Sequence, residues 1–281
     1  MHDPLPGISI LILTLNEEGN IEGVLDSVAG FDDVVVLDSG STDRTVALAT
    51  ARGARVVQRP FDNWATHHNW ALATIEFRHP WIFYLDADER MTPALVEEIR
   101  TIAADPLEER VGFYCGAANY FLGRLISHSY PPVPILRFYK PPFVTYERLV
   151  NPTTRVAGPV GQLHHRFLHF TFSKGLTEWL AKHNRYSQAE AVEAVASREG
   201  DVVKIRDLVD PNPAARRAAL KRLAWRLPFR PQLKFLWLYV MCRGFLDGWP
   251  GYVYCRLQAT YEYFIDLKIK EIHLARQGRR M

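Results

Sequence analysis

The chain has 281 residues, 48% of them hydrophobic and 23% charged, with a formal net charge of +3. That length fits one large α/β domain with additions, or two modest domains, and the composition is globular and not disordered. So small a net charge gives no ground for a nucleic-acid partner, and Cys115, Cys242 and Cys255 form neither a CxxC pair nor a disulfide framework.

The predicted elements alternate. Ile8 to Leu15, "ISILILTL", is a continuous β-branched run, as a strand covered on both faces would be. Ile21, Val24, Leu25 and Val28 then recur at helical spacing, with Asn20 as N-cap. Val34 to Leu37 is a second strand, Val46 to Ala51 a helix, Arg55 to Val57 a third strand, Trp64 to Ile75 a helix and Trp81 to Leu85 a fourth strand. Thr92-Pro93 reads as an N-cap followed by Pro at N1, opening a helix with Leu95, Val96, Ile99 and Ile102 on its inner face. Strands alternating with helices imply an α/β fold with a doubly wound, mostly parallel sheet and a ligand site beyond the carboxyl ends of the strands.

That edge gathers the polar signals. Asn16-Glu17 follows the first strand and the "DSGSTD" loop the second. In "FYLDADERM" the apolar fourth strand ends abruptly in Asp86, Asp88 and Glu89. Three carboxylates so close repel one another, and a bound cation is the expected reason. The chain has neither GxGxxG after its first strand nor a lysine-bearing P-loop, which disfavours dinucleotide hydride transfer and P-loop phosphoryl transfer.

"LILTLNEEGNI", "VVVLDSGSTDRTV" and "FYLDADERM" resemble the successive signatures of family 2 glycosyltransferases, which have the GT-A fold. "LRFYK", "YERLV", "LHF", "KHNRYS" and "GFLDGWPGY" extend the resemblance to bacterial lipopolysaccharide-core glycosyltransferases. The resemblance implies that Leu15, Asn16 and Glu17 line the base and ribose of a nucleotide-sugar, a UDP-sugar foremost. It also implies that Asp38 holds base or ribose while Ser39 and Gly40 shape its loop, and that Asp86 and Asp88 form a DxD pair facing Mg2+ or Mn2+. An inverting displacement needs a base, for which Glu147 is the candidate, although Tyr146 stands where the subset has histidine. Arg137, His169 and Arg185 are expected as acceptor or phosphate contacts, and His67 and His68 receive no role. "HHRFLH" has ligand-like spacing, but no carboxylate partner is evident for a zinc site. The alternatives are transfer to a polyprenyl phosphate and a nucleotide-sugar-binding protein without turnover.

The domains expected are 1–187, catalytic, and 188–281, helical and basic-aromatic. In the latter, Asp210 to Pro213 breaks the chain, and Leu220, Leu223, Ala224 and Leu227 form an apolar stripe flanked by Arg217, Lys221, Arg222, Trp225 and Arg226. "FLWLYVMC" is too short to span a membrane, which needs ~20 apolar residues. Met1 to Pro4 lacks the basic start and apolar core of a signal peptide. With the lipid-linked saccharide acceptor that the resemblance implies, the expectation is a cytoplasmic protein, peripheral on the inner face of an anionic membrane.

Overall fold

The computed structural model describes residues 7–147, 153–199, 216, 219, 220, 223 and 227–279. Asp210 to Pro213, Arg217, Lys221, Arg222, Ala224, Trp225 and Arg226 lie outside the described residues. The chain divides into two compact units, Met1–Tyr120 with Pro132–Ser173, and Phe121–Pro131 with Lys174–Met281. The boundary expected at 187/188 falls inside one continuous helix, Gly175–Glu199, which a division there would have to break.

In the first unit the elements are β1 (Ile8–Thr14), α1 (Ile21–Ser27), β2 (Val34–Asp38), α2 (Thr45–Ala51), β3 (Arg55–Gln58), α3 (Trp64–Thr74), β4 (Trp81–Asp86), β5 (Glu89–Arg90) and α4 (Pro93–Ala104). There follow β6 (Gly112–Cys115), β7 (Ala117–Phe121), β9 (Ile135–Tyr139), β10 (Val144–Glu147), β11 (Thr153–Val156), β12 (Val160–Gln162) and β13 (Phe167–His169); β8 (Arg124–Ile126) belongs to the second unit. The main sheet runs β12-β6-β9-β4-β1-β2-β3. Its β4-β1-β2-β3 half is parallel, whereas β9 is antiparallel to both β4 and β6.

β1 is buried on both faces because its alternate residues enter separate cores. Ile8, Ile10 and Ile12 pack with Ile21, Val24 and Leu25 of α1 and Leu95 and Ile99 of α4. Leu11 and Leu13 pack with Ala65 and Ala71 of α3. Two caps were anticipated. Thr92 accepts from the Leu95 N–H at 3.2 Å with Pro93 behind it, as expected. Asn20 instead has helical backbone angles and makes no side-chain cap; its Nδ2 donates to Glu17 and Ser173.

The strand order places β2 on one side of β1 and β4 on the other, so the topological switch point lies between β1 and β4. Register puts Thr14 beside Asp38 and Leu13 beside Asp86. The polar loops therefore share one crevice.

The second unit is mainly helical: α5 (Gly175–Glu199), α6 (Arg230–Leu236), a π-helical turn (Trp237–Met241), a 3-10 turn (Gly244–Asp247) and α7 (Gly248–Arg276). Ala191, Ala194 and Val195 of α5 pack on Ile265 and Ile269 of α7. Asp247 accepts backbone N–H bonds from Ser127, His128 and Ser129, the Ser129 hydroxyl, and His128 Nδ1 at 2.9 Å.

Candidate active site

Two loops make one wall of the crevice. Asn16 stands in the left-handed region at φ 53°; its N–H donates to Ser41 Oγ and its Oδ1 accepts from the Thr42 N–H, both at 2.8 Å. The Glu17 N–H donates to Thr45 Oγ1 at 2.7 Å. Leu15 is exposed above this wall, and so is Gly40, at φ 96°. Asp38 is wholly buried beneath it. One of its oxygens accepts from the N–H groups of Gly40 and Ser41, the other from the hydroxyls of Thr14 and Ser41. Burial works to raise its pKa, but the bonds from Ser41, Thr14 and Gly40 prevail and leave it below the ordinary value. Asp38 was expected to grip base or ribose; in this structure its four donors come from the protein, so it orders Ser39, Gly40 and Ser41 from below.

The "DADER" loop explains its own acids. Glu89 turns inward and is 1% exposed; its Oε1 accepts from Arg137 Nη2 at 2.6 Å and its Oε2 from the Asp86 N–H at 2.9 Å. Asp86 accepts from the Tyr84 hydroxyl and, at 3.2 Å, from Arg137. The Arg137 guanidinium lies over the rings of Tyr84 and Phe167, at 4.2 and 5.0 Å. Arg137, expected to touch acceptor or phosphate, is 2% exposed and engages protein carboxylates instead. Burial pushes the Glu89 pKa well up against the pull of Arg137; for the less enclosed Asp86, Arg137 and the Tyr84 hydroxyl outweigh burial and hold the pKa down. The cation that reconciles these acids is thus partly built in. Its sequence signal is the lone arginine in the apolar run "ILRFY".

Arg90 ties the loop to α1. It donates to the carbonyls of Ala87, Glu89 and Asn20, and lies so close over Gly23 that a Cβ there would stand 2.6 Å from its Nε.

Asp88 is the acid of this loop with no bond to Arg137. β13 pairs with β5, His169 opposite Glu89, and the Phe170 N–H donates to the Asp88 carbonyl at 2.9 Å. This register brings His169 Nε2 to 3.6 Å from Asp88 Oδ2. His169 Nδ1 is 3.0 Å from the buried Asn119 Oδ1. An Nδ1–H donated to Asn119 leaves the Nε2 lone pair facing the Asp88 carboxylate, an arrangement suited to a shared cation. Among the described residues no group of three His, Cys, Asp or Glu is placed to hold a metal. One or two carboxylates plus substrate phosphates are what Mg2+ sites commonly use, which Asp88 with Asp86 could supply, and the imidazole of His169 adds a donor that suits a transition-metal ion such as Mn2+ better than Mg2+. His164 and His165 lie apart from this; their N–H groups donate to Glu98 at 2.8 and 2.9 Å.

Glu147 ends β10, on a two-stranded ribbon with β11. Its side chain is half-exposed and 3.3 Å from Arg155. The preceding residue is anchored to α3: Asn69 accepts from the Tyr146 N–H and donates to the Tyr146 carbonyl, both at 2.8 Å. The Tyr146 ring stacks on His68 at 4.3 Å, and its hydroxyl meets that of Tyr139 at 3.2 Å. His68 is buried, its pKa pushed down to about 4 by burial, and its Nδ1 has no hydrogen-bond partner. Sequence reasoning gave α3 no part here, because nothing in "HHN" marks the amide that reaches a strand 77 residues on. His67, also on α3, lies 3.4 Å from Ser39 Oγ. Arg185 is in the second unit, on α5, 3.8 Å from Glu178.

The chain belongs to glycosyl transferase family 2, whose model matches residues 9–167, and it is a glycosyltransferase. It is 26% identical over 279 residues to the lipopolysaccharide core biosynthesis glycosyltransferase LpsC of Rhizobium meliloti, covering 95% of this chain and 93% of that one. It is also 26% identical over 286 residues to an uncharacterized glycosyltransferase of Rickettsia bellii, covering 95% and 87%. Among solved structures, glucosyl-3-phosphoglycerate synthase from Mycobacterium tuberculosis, in complex with Mn2+, UDP-glucose and phosphoglyceric acid, matches at TM-score 0.32 and 28% identity. That match spans 42% of this chain and 44% of the other.

Proposed function

We propose that the chain is an inverting, metal-dependent hexosyltransferase moving a sugar from a nucleotide-sugar, foremost a UDP-sugar, to a lipid-linked saccharide such as a lipopolysaccharide core. The observation that carries this reading is the facing pair Asp88 and His169 at the switch point, beside an Asp86 already held by protein donors. In this reading Asp88 and His169, with Asp86 adjoining, hold Mg2+ or Mn2+. When bound, such an ion neutralises charge building on the leaving nucleoside diphosphate. Leu15, Asn16, Glu17, Ser39 and Gly40 line base and ribose on a wall that Asp38 keeps in shape. Glu147 takes the acceptor hydroxyl's proton as that oxygen attacks the anomeric carbon opposite the leaving group, in one displacement. A lipid-linked acceptor puts the reaction on the inner face of the cytoplasmic membrane, where the basic C-terminal sequence meets anionic headgroups.

The test is a thermal-shift screen of nucleotide-sugars with and without Mn2+, because a ligand that binds only the native state raises its melting temperature. One donor should stabilise the wild type only with metal, and Asp88→Asn or Asp88→Ala should abolish this while leaving the unliganded melting temperature unchanged. Stabilisation or turnover that survives EDTA or either variant would sink the metal site.

A further inference from the structure

α6 and the π-helical turn after it are built inside out. A helix of a globular protein normally turns its apolar stripe to the core and its charges to water. Here Phe229, Leu233, Leu236, Trp237, Val240 and Met241 follow the spacing of one helical face, yet they are 45–74% exposed. Arg230, by contrast, is 8% exposed and ion-paired with Glu262 and Asp266 of α7. The exposed surface continues through Tyr239, whose ring lies 6.2 Å from Phe245 and 5.8 Å from Tyr252; Tyr252 in turn stacks on Trp249 at 5.4 Å. Phe245 is 48% and Trp249 68% exposed. Leu220, Leu223 and Leu227, three residues of the expected apolar stripe, are exposed as well. So large a contiguous apolar surface marks an interaction site.

Charge selects the occupant. From Pro211 to Leu246 the sequence has no Asp or Glu and eight Lys or Arg, of which Arg230 is taken up by Glu262 and Asp266. A second copy docking by the same face would set two acid-free basic segments against each other. A bilayer with anionic headgroups offers apolar depth under a negative rim. Among the described residues no helix is long and apolar enough to cross a membrane.

We propose that this face is an interfacial anchor that lies in the bilayer surface, its apolar stripe in the headgroup–acyl boundary and Trp237 and Trp249 at headgroup level. The membrane reading above rests on basic charge; this deepens it to apolar insertion, and stands apart from the transfer chemistry.

The experiment is co-sedimentation of the full chain with vesicles of phosphatidylcholine alone, or mixed with phosphatidylglycerol, at low and high salt. Wild type should bind both, more tightly to the anionic ones, and high salt should remove only the anionic excess. Combining Leu236→Gln, Trp237→Gln, Val240→Gln and Met241→Gln should weaken binding to neutral vesicles at least about tenfold. Thermal stabilisation by UDP-glucose with Mn2+ should be the same in this variant as in wild type. If the quadruple variant folds poorly, Trp237→Gln with Met241→Gln must move binding in the same direction. Wild-type binding by the variants, or no binding by the wild type, would overturn the anchor. So would a wild-type dimer in light scattering that the variants convert to monomer, which assigns the face to a second copy. Failure of donor and metal to stabilise the wild type would count against the proposed transfer chemistry alone.

Discussion

Arg137 is buried against two carboxyl groups, the enclosed Glu89, whose pKa burial pushes up, and the more open Asp86, whose pKa it holds down. Removing the cation leaves Asp86 without its partner and Glu89 without its donor, whereas an amide at Glu89 keeps the bond to the Asp86 N–H and removes no charge that Asp86 needs. Arg137→Met should therefore cost about 3–5 kcal/mol of stability, as broken buried pairs do. Glu89→Gln, which can still accept from the Asp86 N–H, should cost clearly less. Urea unfolding of the two variants checks this. Equal losses, or an Arg137→Met loss below about 1 kcal/mol, would mean that the network does not hold the loop. The same residues mark a limit of sequence reading. Three acids in a row were visible, and so was the need for a cation. "ILRFY" marks Arg137 as unusual, but that it pairs with acids 48 residues earlier could not be seen, because pairing across a sheet leaves no local pattern.

β10 owes its place to α3. The Asn69 amide meets both backbone groups of Tyr146, and the next residue is Glu147, the proposed base. Glu147→Gln should lower kcat roughly a hundredfold or more and leave donor affinity nearly unchanged. Asn69→Ala should lower kcat with little change in donor KM, and the double variant should be no slower than Glu147→Gln alone, as for residues acting through one another. Multiplying losses would assign Asn69 an independent role; a normal rate for Glu147→Gln would move the base elsewhere. The elements from β1 to α4, the two-residue β5 excepted, were legible in the sequence to within a residue or two, because β-branched runs, helical spacing and the Thr92-Pro93 cap agree there. Beyond Ala104, strands of three to five residues lie among prolines, glycines and aromatics, too short for a period to register. The antiparallel entry of β9 beside β4 was not foreseen for that reason.

In the second unit, folding leans on Asp247, which gathers the 127–129 segment onto the start of α7. Burial acts to raise its pKa, but bonds from Ser129, His128 and Ser127 bring it down to about 2 from an ordinary 3.8. The folded form therefore binds fewer protons than the unfolded one. The stabilisation is full above about pH 3.8 and is lost as pH falls through about 2. The stability gap between wild type and Asp247→Asn, from urea midpoints, should shrink steadily as pH falls from 5 toward 2. A gap that widens in acid would contradict the assignment.

For the molecule as a whole, fold and family agree on glycosyl transfer, and the proposed chemistry puts a cation held by Asp88 and His169 against the charge of a leaving nucleoside diphosphate. The most direct measurement follows transfer by proton NMR, using the nucleotide-sugar that stabilises the protein and a truncated lipopolysaccharide core. An α-linked donor should disappear with the appearance of a β-glycoside on the core, in the presence of Mn2+ and not of excess EDTA. An α-linked product, or transfer indifferent to EDTA, would contradict a single metal-assisted displacement.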